Sequence, residues 1–146
     1  MPMTEDLIAT STITIDASRS EVWNALTDSD AAKQYMFGAD VRSDWRVGSP
    51  ITWSGEFNGK AFKDKGEVLQ ADPGHLLQYS HFSPQSGQPD RPENYHIVTI
   101  ELVDAADRTA VTLKQNNNET EEARKHSEQN WNLMLQSLKK VVEAKK

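Results

Sequence analysis

Four polar side chains, Tyr79, His81, His96 and Gln115, fall in stretches of alternating polarity, at positions that share parity with apolar neighbours. Residues two apart on a strand project from one face, so these four point with the hydrophobic set, away from bulk water. A phenol, two imidazoles and a carboxamide in an apolar setting need hydrogen-bond partners, and a hydroxyl or carbonyl of a small molecule is one way to supply them. A neighbouring side chain, the backbone or a water is the other way. Tyr79, His81 and His96 could also serve as general acid or base, histidine being the side chain that titrates nearest neutrality. No stronger catalytic pattern stands beside them. The chain has no cysteine and no Gly-x-Ser-x-Gly, and Ser80 and His81, adjacent on a strand, point to opposite faces. His75, His81, His96 and His126 lack metal-ligand spacing, and Glu56, Glu67 and Glu101 share the outward parity of a solvated face. No catalytic residue, metal or cofactor is assigned on these grounds.

The strands that must carry these groups are expected at Thr10 to Ile15, Ala39 to Arg42, Ser49 to Phe57, Ala61 to Ala71, Leu76 to Phe82, Tyr95 to Val103 and Thr109 to Gln115. Parity then nominates an inward lining. Between Ile51 and Phe57 the apolar set is Ile51, Trp53 and Phe57. Between Phe62 and Val68 it is the even row, Phe62, Gly66 and Val68. In the next strand the odd row, Leu77, Tyr79 and His81, faces in, with Leu76 and Phe82 as the alternative set that a one-residue slip would select. His96, Val98 and Ile100 follow on even positions, and Val111, Leu113 and Gln115 on odd ones. Asn58-Gly59 is a hairpin signal, Asp72-Pro73-Gly74 a tight turn, and Asp104 to Arg108 a link between the last two strands. Ser83 to Asn94, with its prolines at 84, 89 and 92, is a long loop of the kind that often carries function. Gly66 inside a strand implies a bend or a close approach of backbone.

Two short helices separate the first strand from the rest. Ser18 with Glu21 three residues on is a capping box, and Val22, Trp23 and Leu26 form the buried side of the helix it opens. Asp28 or Ser29 caps a second helix, Asp30 to Tyr35, ending near Gly38. The stretch Thr120 to Lys146 is one long amphipathic helix. Its stripe is Trp131, Met134, Leu135, Leu138, Val141 and Val142, while Glu121, Glu122, Arg124, Lys125, Lys139 and Lys140 leave the other faces wet. A helix of that kind needs a broad apolar partner, and a curved antiparallel sheet provides one. The expected fold is α+β, a sheet wrapped around the terminal helix, with Trp131 and Leu135 on the helix side of any cavity. Trp131 and Trp23 also read simply as core, and Trp45 as guard of the cavity mouth or cover of a hairpin.

At 146 residues, a single domain spanning 1–146 is expected. Sixteen Lys plus Arg stand against 22 Asp plus Glu, a net charge of −6 with no basic block, which argues against nucleic acid as a partner. The first fifteen residues are too polar for a signal peptide and no run is apolar enough to span a bilayer, so a cytoplasmic protein with no membrane partner is expected.

The residues also carry a resemblance. Ile13-Thr14-Ile15-Asp16-Ala17-Ser18 leading to Glu21-Val22-Trp23-Asn24-Ala25-Leu26-Thr27, then Gly66-Glu67-Val68 with Asp72-Pro73, Val98-Thr99-Ile100-Glu101-Leu102, and Asn130-Trp131 with Leu135 and Leu138-Lys139 stand in an order similar to the SRPBCC (START/Bet v 1-like, helix-grip) superfamily. Within it they resemble the branch related to the activator of Hsp90 ATPase, AHSA1. Pro89 to His96 and Gln115-Asn116-Asn117 resemble a bacterial subgroup of that branch. Ser80-His81 departs from the Thr-Trp of many relatives. The resemblance implies a deep, mostly apolar cavity between sheet and helix, lined by Trp53, Phe57, Phe62, Val68, Tyr79, His81, His96, Val98, Ile100, Gln115, Trp131 and Leu135. It implies a protein that senses or sequesters a small hydrophobic or aromatic molecule, lipid-like, polyketide-like or flavonoid-like. The alternatives are a polyketide cyclase or aromatase and an Hsp90-type chaperone regulator, the latter weakened because the eukaryotic activator carries a further N-terminal domain. A monomer or weak homodimer is expected, with chaperone contact as the other partner class.

Overall fold

Local signals set the start of every helix. In the computed structural model, which describes residues 7–57, 59–84 and 87–144 apart from the side chain of Phe57, the chain runs β1 (Leu7–Ile15), α1 (Arg19–Leu26), α2 (Ser29–Tyr35), β2 (Asp40–Arg42), β3 (Pro50–Phe57), β4 (Lys60–Asp72), β5 (Leu76–His81), a 3-10 turn (Pro92–Asn94), β6 (His96–Ala105), β7 (Arg108–Asn118) and α3 (Glu121–Glu143). Ser18 accepts from the Glu21 amide while the Glu21 carboxylate accepts from the Ser18 amide, so the capping box forms as expected. Asp28 accepts from the Ala31 amide at 2.9 Å and Thr120 from the Ala123 amide at 3.0 Å, each cap contributing about 1 kcal/mol.

The described strands form one antiparallel sheet in the order β1-β7-β6-β5-β4-β3-β2. The first strand therefore pairs with the last, and β2 to β7 follow one another across the sheet as a meander. The turn at Asn58 lies outside the described residues, although β3 and β4 pair up to Phe57 and Lys60 around it. Strand β4 changes partner along its length. It pairs with β3 from Lys60 to Glu67 and with β5 from Val68 to Asp72, with a further bridge between Lys65 and Phe82. Gly66 sits at that handover, where a Cβ would lie 1.8 Å from the Ser80 carbonyl oxygen. The close approach of two backbones is what excludes a side chain there.

Parity holds across the inner face. Ile51, Trp53, Val68, Leu77, Tyr79, Val98, Ile100, Val111 and Leu113 are buried, and Met134, Leu135, Leu138, Val141 and Val142 of α3 pack on them. The odd row of β5 faces in. Phe82, the alternative, is buried outside that core and stacks on Tyr95 at 5.1 Å between ring centroids. Trp53 and Tyr79 meet at 5.4 Å, and the space left among Leu26, Trp45, Trp53, Tyr79 and Met134 is about 10 Å³, room for one water at most. The deep apolar cavity expected from the resemblance is thus filled at its centre by large side chains on the inward rows.

Helix α3 also differs from expectation in its polar faces. While its apolar stripe packs on the inner face, its polar side runs close along β1. Glu128 accepts from the Thr10 amide at 3.0 Å, Lys139 donates to the Thr14 carbonyl at 2.9 Å, and Glu143 accepts from the Asp16 amide at 2.8 Å. Asn132 accepts from the Ser11 hydroxyl. These side chains engage backbone groups that an edge strand would otherwise leave open, so Lys139 is a structural contact instead of a wet one.

Candidate functional site

The end of the inner face near β5, β6 and β7 is where the packing opens. The C-terminal ends of β5 and β7 and the start of β6 bring His81, His96 and Gln115 together, and the first half of α3 stands opposite with Ala123, Ser127 and Trp131. Between them is a cleft of about 460 Å³, with the segment Glu93–Asn94 and Asn117–Asn118 at its rim. Antiparallel register sets the imidazoles side by side, His81 being the direct partner of His96, and their rings stack at 6.3 Å. His81 also meets the edge of Trp53 at 5.0 Å.

The polar groups nearest Trp131 hold one another. The Trp131 indole N–H donates to Gln115 Oε1 at 2.5 Å, and Gln115 Nε2 lies 3.0 Å from His96 Nδ1. Asn118 donates to the Leu7 carbonyl at 2.7 Å and to the Gln115 carbonyl at 3.2 Å, so its Oδ1 is the acceptor for Ser127 Oγ at 2.8 Å and for Gln115 Nε2 at 3.3 Å. The rim is tied down as well. Asn117, in the left-handed region at φ 60°, donates to the carbonyls of Glu93 and Tyr95, and Asn116 Oδ1 accepts from the Ile97 amide at 2.7 Å. The Tyr95 hydroxyl donates to Asp90 at 2.6 Å and Lys65 pairs with the same carboxylate, anchoring the loop that precedes β6.

Behind His81 stands Asp64, whose Oδ2 is 2.9 Å from His81 Nε2 with both side chains mostly covered. Asp64 is a component that parity could have nominated, because it lies on the same even row as Phe62, Gly66 and Val68. Its charge kept it out of the apolar set named from that row. Asn118 and Ser127 are also part of the network. They escaped because Asn118 lies beyond the expected end of its strand at Gln115, and Ser127 on the turn of helix before the stripe.

Of the residues nominated from sequence, His81, His96, Gln115 and Trp131 border the cleft. Trp53, Val68, Tyr79, Val98, Ile100 and Leu135 lie in the packed interior, and Phe62 is half-buried against it. The side chain of Phe57 lies outside the described residues. Burial pushes the Tyr79 hydroxyl well above its ordinary pKa, so it is neutral and suited to packing rather than proton transfer. Burial lowers the His96 pKa, and His81 lowers it further, against the Asn116 carbonyl and Glu119, which raise it. A second groove, about 530 Å³, is walled by Glu21, Asn24, Thr27 and Asp28 of the α1–α2 region, and it offers polar side chains without an aromatic surface. Among the described residues no three or more His, Cys, Asp or Glu converge on a possible metal position, and no helix is long and apolar enough to cross a membrane.

A curved antiparallel sheet gripping a long C-terminal helix, with a cleft between them, defines a helix-grip α+β protein. The chain belongs to the family described as "Activator of Hsp90 ATPase homolog 1-like protein", whose model matches residues 16–143. Among solved structures it is similar to ChR145 from Cytophaga hutchinsonii, with 52% identity over 98% of both chains and a TM-score of 0.85. It is also similar to the Aha1 dimer from Colwellia psychrerythraea, at 25% identity over 93% of this chain and 96% of that one, TM-score 0.73. DynU16, a protein of the dynemicin biosynthetic locus, shares the fold at 18% identity and a TM-score of 0.78, this chain covering 49% of its length. No curated protein matches the chain.

Proposed function

We propose that the protein binds a small, flat, largely apolar molecule carrying a polar oxygen, in the cleft between the β5–β7 strand ends and α3. The observation that supports this most is the composition of that cleft. An indole and two imidazoles offer ring surface, while a hydrogen-bonded carboxamide network holds them in place, the few-polar-groups pattern of a small-molecule site. Its volume of about 460 Å³ suits a molecule of two or three fused rings. Competition of a hydrophobic dye, 1-anilinonaphthalene-8-sulfonate, by 2-naphthol is the direct test. Saturable competition in the wild type, weakened at least several-fold in Trp131→Ala, is the expected result. Dye binding indifferent to naphthol and to Trp131 would remove the cleft from consideration.

A second reading, acid–base chemistry of the cyclase or dehydratase kind, is favoured by the Asp64–His81 pair. A carboxylate behind an imidazole fixes its tautomer and supports it as a base. Turnover of a poly-β-ketone by wild type, reduced by roughly 10²–10⁴ in His81→Phe, would be the signature of that chemistry. The binding reading is preferred because the cleft explains its own polar contacts without a reaction.

A further inference from the structure

We propose that His96 is locked as the Nε2–H tautomer and presents that N–H to the cleft, so that the ligand is selected for a carbonyl or other acceptor oxygen. This rests on the reading of the cleft as a small-molecule site and names which chemical group the site reads.

The lock follows from donor and acceptor inventories. An indole N–H can only donate, so the atom of Gln115 that faces Trp131 at 2.5 Å must be the carbonyl oxygen. The amide nitrogen of Gln115 is thereby turned toward His96. Asn118 imposes the same orientation independently. Both contacts of its Nδ2 are to backbone carbonyls, its Oδ1 is therefore an acceptor, and that oxygen lies 3.3 Å from Gln115 Nε2. With Gln115 fixed from two sides, a donor nitrogen stands 3.0 Å from His96 Nδ1. A protonated Nδ1 would set two N–H groups against each other, so Nδ1 holds the lone pair and the proton resides on Nε2.

One contact points the other way. The Asn116 carbonyl oxygen lies 3.1 Å from the same Nδ1, the geometry of a bond that an Nδ1–H would donate. The two contacts cannot both be hydrogen bonds to a neutral ring. Gln115 cannot turn over without losing Trp131, whereas the Asn116 oxygen, 3.4 Å from Gln115 Nε2, can share that nitrogen's second hydrogen with Asn118 Oδ1 in a three-centre bond. Nε2 of His96 has no protein partner among the described residues, and the ring borders the cleft. A ligand oxygen is the complementary partner. Gln115 is a positioning residue here, since it acts through His96.

The test has a ligand-free arm and a ligand arm. Long-range 1H–15N spectra of the histidine rings at pH 7.5 should show His96 with a bare Nδ1 and a protonated Nε2. In Gln115→Glu, a carboxylate replaces the donor, and the proton should move to Nδ1. Should that variant fail to fold, the wild-type spectrum alone decides the tautomer. In the ligand arm, 2-acetylnaphthalene should bind about 2–10-fold more tightly than 2-ethylnaphthalene, the difference expected of one hydrogen bond, and His96→Phe should abolish the preference. A His96 protonated on Nδ1 in the wild type, or equal affinity for ketone and hydrocarbon, overturns the selection by His96 while leaving small-molecule binding intact. Failure of both naphthalenes to bind overturns the binding reading and the ligand assignment with it.

Discussion

The carboxylate of Asp64 lies 2.9 Å from Nε2 of His81, a contact between two inward-facing rows of β4 and β5. It places an ionisable pair at the base of the cleft, where His81 meets Trp53 on one side and His96 on the other. Asp64→Ala removes the acceptor of a partly covered N–H. Because water can still reach His81, the loss should fall near the low end of the range for an unpaired donor, about 1 kcal/mol, or roughly 2–4 °C in melting temperature. A melting curve superimposable on wild type would show that the pair contributes nothing to the fold.

Gly66 should tolerate no side chain. A Cβ there meets the Ser80 carbonyl oxygen at 1.8 Å, and that atom is backbone in a paired strand, so it has little room to yield. Gly66→Val is expected to cost about 3 kcal/mol, the upper part of the usual overpacking range. Chemical denaturation measures it, and a midpoint within error of wild type would mean β4 and β5 can part at no cost.

Much of this architecture was legible in the sequence, and the reasons are local. The capping box at Ser18 and Glu21, Ile51 and Trp53 of β3, and the inward rows of β6 and β7 each depend on neighbours within a few residues, and each appears where the pattern puts it. What the pattern did not show depends on contacts between distant segments. The filling of the cavity centre needs Trp53, Tyr79 and Met134 to meet from three elements. Asp64 faces inward where His81, seventeen residues on, supplies a hydrogen-bond partner for its carboxylate. Lys139 reads as solvent-facing, yet it binds the backbone of β1 more than a hundred residues away, and Glu143 likewise holds the Asp16 amide just past that strand.

Stability should fall on mild acidification through His96. Its pKa is lowered in the folded state, chiefly by burial, so the unfolded chain binds the proton more readily. The contribution is fully present above the ordinary histidine value of about 6.5 and is lost as the pH falls through the lowered folded value. The slope of melting temperature against pH below 6.5 should therefore flatten in His96→Gln. An identical slope in the variant would assign the effect to other groups.

Trp131 should report occupancy of the cleft. Its indole is half-buried, is bonded to Gln115 and borders the open space, whereas Trp53 is packed inside and Trp45 and Trp23 lie elsewhere on the core. Trp131→Phe is expected to remove most of the fluorescence change that 2-naphthol produces. If the change survives there and vanishes in Trp45→Phe, the ligand enters beside the filled centre instead.

The most direct test of the cleft as a binding site is a titration of 15N-labelled protein with 2-naphthol, followed residue by residue in 1H–15N spectra. Saturable shifts of the Trp131 indole N–H, the Gln115 side-chain amide and the Ser127 backbone amide, with Asn24 unmoved, are the predicted result. Shifts confined to Asn24 and its neighbours in the α1 groove, or none that saturate, would contradict it.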